Sequence, residues 1–207
     1  MALRKIDIGA ELGKGWQLFR ANMGVLVVAG VIAYIISLLT CGVLGGPLVA
    51  GMFLIAQRLL KNDPVKPQAG DVFKGFDVFV QALLVLVFAI VAVCIVGWIP
   101  FIGQLIALVV GPIMMWALVF VTYQKLTAID AIKKVVEHTK NGEFTMPLLF
   151  ALIANLISML GAIACGIGVF FTLPIGYCMI ACCYETLFGD EPEVIDPISI
   201  EPPPPLQ

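Results

Sequence analysis

Charge is what this chain has least of: 13% of its 207 residues are Asp, Glu, Lys or Arg, against 61% that are hydrophobic, about half the ~25% charge of an ordinary soluble domain. Too few charged groups remain to solvate a globular surface, so the composition reads as an integral membrane protein. Histidine is scarcer still, with His138 alone in the chain. A nucleophile-base-acid set would have to route through that one residue, and no Ser or Cys stands in a recognisable local motif, so no enzyme is expected and no cofactor. The formal net charge of -2 leaves no basic surplus with which to hold nucleic acid. A removable leader is not expected either, because the first apolar run follows a polar segment of about 20 residues.

What is present is a set of long apolar runs, at about 22–39, 44–60, 79–97, 104–124, 146–164 and 167–186. A spanning helix needs about 20 apolar residues, range ~17 to 25. All six qualify, the second marginally. The expected fold is therefore an all-α membrane bundle of six transmembrane helices.

The runs alternate with two kinds of connector. CGVLGGP (41–47), GWIPFIG (97–103) and CGIG (165–168) are uncharged, whereas all 12 Lys and Arg lie before the first run, from the last residues of the second run to the start of the third, or between the fourth and fifth. Basic residues collect in cytoplasmic loops. Both termini are thus expected in the cytoplasm, in a cell inner membrane, with the glycine-bearing turns outside.

One unit is written three times, over about 8–60, 70–126 and 127–188, followed by an acidic, proline-rich tail at 189–207. AELGKGWQLF precedes the first run and GDVFKGFDVF the third, with Glu11, Lys14, Gly15, Trp16 and Phe19 answered by Asp71, Lys74, Gly75, Phe76 and Phe79; TAIDAIKKVV keeps Asp130 and Lys133 at the same spacing. Pro47, Pro112 and Pro174 follow the turns, where each is expected to open a returning helix. Each unit then reads as a short amphipathic helix on the cytoplasmic side followed by a helical hairpin, giving a pseudo-threefold bundle. The stripes Ile8-Leu12-Trp16-Phe19 and Ile129-Ile132-Val136 give the first and third of these helices an apolar face. Trp16, Phe19, Phe76 and Phe79 are expected to anchor such helices among lipid headgroups. Thr127 and Asp130 read as a capping box, and Asn141-Gly142 as a stop.

Glu185, near the end of the last run, is the one Asp or Glu inside any of them. With Asn155 and Ser158, three residues apart on one helix face, it makes the set of intramembrane polar contacts. Bundle hydrogen bonding is the first expectation for these groups, and a solute path the second. Cys178, Cys182 and Cys183 read as packing residues rather than a metal site. Cys41 and Cys165, in equivalent turns, are close enough in pattern to pair as a disulfide.

The segment from AIDAIKKVV to YETLFGD, with Cys165, Gly166, Gly168, Thr172, Pro174, Tyr184, Glu185, Leu187 and Phe188, together with GGPLVAGMFLIAQRLLKNDPVKPQAGDVFKGF, resembles a large set of uncharacterised bacterial six-helix membrane domains. Relatives in that set are often joined to a GYF-like domain, and the set is distantly similar to the membrane domain of some glycerophosphodiester phosphodiesterases. The resemblance covers most of residues 9–189 and implies the fold, not an activity. The leading expectation for function is a non-enzymatic scaffold or organising subunit, contacting membrane lipids and assembling as a homo-oligomer or within a membrane complex. The alternative is a small-solute transporter or channel acting as an oligomer.

Overall fold

A computed structural model describes residues 7–97, 102–140, 142, 144–163 and 168–189. Eight α-helices are described: α1 (Ile8–Ala21), α2 (Met23–Leu39), α3 (Gly45–Leu60), α4 (Phe79–Gly97), α5 (Ile102–Gln124), α6 (Ala128–Lys140), α7 (Thr145–Ile163) and α8 (Val169–Phe188), with a 3-10 segment, Ala69–Val78, before α4. Two helical stretches among the described residues are long and apolar enough to cross a membrane, Ala69–Ile95 and Phe170–Phe188. A third qualifies if α1 and α2, bent by 89° at Asn22, count as one span. This is fewer than the six the apolar runs suggest. The shortfall is one of length: α2 has 17 residues and α3 has 16, or about 24 to 26 Å at 1.5 Å per residue. For α5 and α7 only Val110–Gln124 and Thr145–Ser158 enter the comparison.

Local chemistry explains most of the boundaries. Asp7 caps α1, its Oδ1 accepting from the N–H groups of Gly9 (3.0 Å) and Ala10 (3.3 Å). The α2–α3 turn is held by Thr40, whose hydroxyl donates to Ile36 O (2.8 Å), and by the left-handed backbone of Cys41 and Gly42 (φ 50 and 83). Thr127 and Asp130 form the expected cap of α6: the Asp130 N–H donates to the Thr127 hydroxyl (3.2 Å), which donates to the Asp130 carboxylate (2.7 Å). Gly142 follows α6 at φ 76, as a helix-stopping glycine should. Of the three prolines, Pro47 stands in the first turn of α3 as expected. Pro112 and Pro174 do not: they lie inside α5 and α8, because both helices begin several residues earlier than the prolines suggested.

The returning helices α3, α5 and α8 form the interior. Their buried side chains include Leu48, Met52, Phe53, Ile55, Trp116, Phe120, Tyr123, Ile180 and Tyr184, whereas α2 and α4 expose Val28, Ile35, Leu38, Val87, Ile90 and Ile95. Buried aromatic heads find acceptors: Trp116 Nε1 donates to Pro147 O (3.0 Å) and Tyr123 OH to Phe53 O (2.9 Å). Trp116, Phe120, Phe144, Tyr184 and Phe188 form one aromatic cluster joining α5, α8 and the start of α7.

The amphipathic segments clasp this interior in a cycle. α1 packs on α8, the 3-10 segment on α3, and α6 on α5. Each therefore lies against the helix that closes the preceding unit, the first segment reaching round to the last helix. The faces they bury differ from the expected stripes. α1 buries Glu11, Gly15 and Phe19, and α6 buries Ala128, Ala131 and Val135, leaving Ile129 exposed. Small residues win because they let backbones approach. An added Cβ at Gly15 would fall against Met179, at Gly51 against Val72, and at Gly75 against Pro47 O and Gly51 N. The 3-10 segment also runs on into α4 as one stretch, rather than standing apart as the separate interfacial helix expected there.

Candidate functional site: an uncharged cavity between the hairpins

Ser158 and Thr172 join α7 to α8 by reciprocal bonds. The Ser158 hydroxyl donates to its own helix at Ala154 O (2.9 Å) and lies 3.3 Å from Thr172 O, while the Thr172 hydroxyl donates to Ser158 O (2.9 Å). Gly176 keeps α8 close here, since any Cβ would meet the Ser158 hydroxyl. Ser158 and Thr172 thus bond across the α7–α8 contact.

Asn155, one turn earlier on α7, behaves differently. It faces a cavity of about 250 Å³ bounded by α3, α4, α5, α7 and α8, with Gly46, Val85, Met115, Leu118 and Tyr177 in its walls. A smaller cavity of about 100 Å³, toward α2, shares Tyr177, Leu173, Gly45 and Val49 with the first. Among the described residues no charged side chain lines either one. Among the described residues neither the Asn155 amide nor the Tyr177 hydroxyl has a hydrogen-bond partner. The sequence reading named Asn155 and Ser158 but missed Tyr177. The available signal was a phenol halfway along an apolar helix, a polar handle that ordinarily seeks a partner.

Glu185 does not join this group. It stands eight residues beyond Tyr177 on α8, about 12 Å along the helix, with Lys61 Nζ 4.0 Å from its carboxylate. There it belongs to a ring of charges at one end of the bundle. Glu11, 2% exposed, receives Lys14 Nζ (2.7 Å) and the Thr186 hydroxyl (3.0 Å) on Oε1, while its buried Oε2 has no partner among the described residues. The bond to Glu11 holds the Lys14 ammonium above the ordinary lysine value, against the opposing effect of burial. Arg58 spans Asp63 (2.7 Å), Asp71 (3.0 Å) and Val65 O (3.2 Å). Lys74 closes on the other Asp71 oxygen at 3.1 Å. Burial alone would push the Asp71 carboxyl up; the Gln68 N–H, Lys74 and Arg58 outweigh it and hold the group below the usual carboxylate value. Lys134 donates to Gln124 (2.8 Å) and lies 4.9 Å above the Phe120 ring.

The expected anchors divide. Trp16 is 45% exposed and free to face a headgroup layer, but Phe19 is 1% exposed and belongs to the core. Phe76 and Phe79 stack on each other with ring centres 5.7 Å apart, both partly covered. Cys178, Cys182 and Cys183 are buried free thiols. No group of three His, Cys, Asp or Glu among the described residues is arranged to hold a metal. Cys41 is an exposed free thiol; Cys165, in the equivalent turn, lies outside the described residues, as do the connector at 98–101 and the tail from 190 onward. His138 packs against Phe144 and Phe188 at one edge of the aromatic cluster.

Compared with known proteins, the chain matches no protein family, no curated protein and no solved structure.

Proposed function

We propose that the chain is a multi-pass inner-membrane protein that crosses the bilayer six times, through α2, α3, α4, α5, α7 and α8, with both termini in the cytoplasm, and that it works as a non-enzymatic scaffold. The observation that carries this reading is the distribution of charge. Among the described residues the middle turns of all six helices lack Asp, Glu, Lys and Arg, and Arg58, Lys61 and Glu185 at helix ends each stand in an ion pair. A proton relay or ion path ordinarily needs ionisable groups at depth, and a scaffold does not. The short α3 is compatible with spanning, since Arg58 and Lys61 at its end can reach toward headgroups and the bilayer can thin locally. The apolar faces of α2 and α4 supply the surface for lipid, for a second copy or for a partner subunit.

A transporter or channel is the second reading, favoured by the cavity at Asn155. Native mass measurement of the protein released from mild detergent, paired with uptake assays in proteoliposomes, separates the two. A stoichiometric homo-oligomer or constant partner with no flux is expected. Saturable uptake that disappears in Asn155→Leu while assembly persists would overturn the scaffold.

A further inference from the structure

The cavity beside Asn155 has a chemistry that scaffolding does not use. Among the described residues its walls are apolar apart from three side chains, Asn155, Ser158 and Tyr177. Ser158 is occupied by the α7–α8 contact. The other two are unpartnered and lie about midway along their helices, Asn155 eleventh of the 19 residues of α7 and Tyr177 ninth of the 20 of α8. Both are half-buried, and an amide or a phenol left unpaired against apolar walls is unfavourable. A ligand that pairs them recovers that energy.

Three features define the ligand. With no charged side chain among the described residues of either cavity, it is neutral, because a charged group there would be buried without a counter-charge. An amide N–H and a phenol O–H both donate, and one carbonyl oxygen with two lone pairs can accept from both. The volume of about 250 Å³ holds on the order of ten non-hydrogen atoms at liquid-like density, which suits one substituted six-membered ring. A mid-helix position also disfavours glycerolipid esters, whose carbonyls sit near the edge of a hydrocarbon layer ~30 Å thick. A carbonyl delivered to that depth needs an apolar carrier without a large polar head.

We infer that this cavity binds the head ring of a membrane-dissolved quinone, one ring carbonyl accepting from Asn155 and Tyr177. The apolar tail leaves between the helices, and the smaller cavity beyond Tyr177 offers room for ring substituents. The inference concerns binding only and rests on the membrane-spanning part of the reading above but not on the scaffold part, since retention of a ligand in a nanodisc is measured without any flux.

The test uses the full-length protein in phosphatidylcholine nanodiscs, with decylubiquinone as the probe and empty discs subtracted. Saturable binding of about one quinone per chain is expected. Asn155→Leu and Tyr177→Phe should each weaken it three- to tenfold, the range of one uncharged hydrogen bond, and Ala89→Phe, which fills the cavity, should abolish it. Dodecylbenzene, of similar shape without a carbonyl, should not compete. The conservative Tyr177→Phe keeps the test informative if Asn155→Leu alters packing. Equal binding by the wild type and both single variants, or equal competition by dodecylbenzene, would overturn the inference. Displacement by monoolein at lower concentration than decylubiquinone, with the same dependence on Asn155, would also overturn it and make the occupant a glyceride.

Discussion

Two glycines in α1, one turn-face apart, should respond to the same substitution with opposite sign. An ideal Cβ on Gly13 meets nothing within 4 Å, while one on Gly15 would sit 2.6 Å from both Cα and Cγ of Met179. The Cγ could swing away, but the Cα belongs to the α8 backbone. Restoring ordinary contact at 3.4 Å means moving α1 outward by about 0.8 Å, a gap that forfeits a quarter to a half of each dispersion contact along the interface. That interface includes Phe19 and the Glu11–Thr186 bond. Alanine in a helix gains ~0.8 to 1 kcal/mol over glycine, so Gly13→Ala should stabilise by about that much. At Gly15 the same gain is set against an overpacking cost of ~1 to 3 kcal/mol, and the loss should dominate. For a chain of this size ~1 kcal/mol moves a thermal midpoint by 2 to 4 °C. Gly13→Ala should then raise it by about 2 to 4 °C, and Gly15→Ala lower it by a few degrees. The buried thiols of Cys178, Cys182 and Cys183 provide the reporter, read with a thiol-reactive fluorogenic dye during heating after Cys41, Cys94 and Cys165 have been replaced by serine. Equal shifts in the two variants, or a stabilised Gly15→Ala, would refute the close approach of α1 to α8.

Two further expectations concern charge. The folded Asp71 carboxyl is held below its ordinary value, so its contribution to stability should be complete above the unfolded value of ~3.9 and fade as the pH falls through the lower, folded value; the thermal midpoint of Asp71→Asn should consequently lose acid sensitivity relative to the wild type. For orientation, a single cysteine at Gly45 should react with an impermeant thiol reagent added to spheroplasts, and one at Lys66 should not. Labelling at Lys66 instead would reverse the assignment of sides.

The helices were legible because apolar runs and their punctuation are local properties. Thr127 and Asp130 cap α6, Gly142 follows it, and Lys14 and Lys74 bond their acids three residues back, each decided within one turn of chain. What periodicity could not supply was the side of each amphipathic segment that turns inward. A stripe through Ile8, Leu12, Trp16 and Phe19 assumes that the most apolar face is the buried one, but the buried face runs through Glu11 and Gly15. Backbone approach to Met179 and a bond from Thr186 depend on a helix at the far end of the described chain, with Thr186 lying 175 residues beyond Glu11. Asn155 could be named from its helix alone. Its cavity draws walls from five helices, and no single stretch of sequence encodes that volume.

The clasp of α1 on α8 also bears on how the units hold together. The 3-10 segment and α6 each lie on a helix that directly precedes them in the chain, and such neighbouring contacts form with little loop-closure entropy. α1 has no preceding helix among the described residues. Its partner α8 is the last one, and Glu11 and Thr186 are separated by 175 residues. This contact has by far the longest loop of the three to close, and it closes a cycle that otherwise ends at an unclasped α8. Glu11, Gly15 and Phe19 should accordingly influence the cooperativity of the whole bundle and not only the order of α1. The buried Glu11, held by Lys14 and Thr186 at the closing contact, stands where Asp71 meets Arg58 in the clasp of the 3-10 segment on α3, so both junctions use an acid to reach a side chain on the helix they grip.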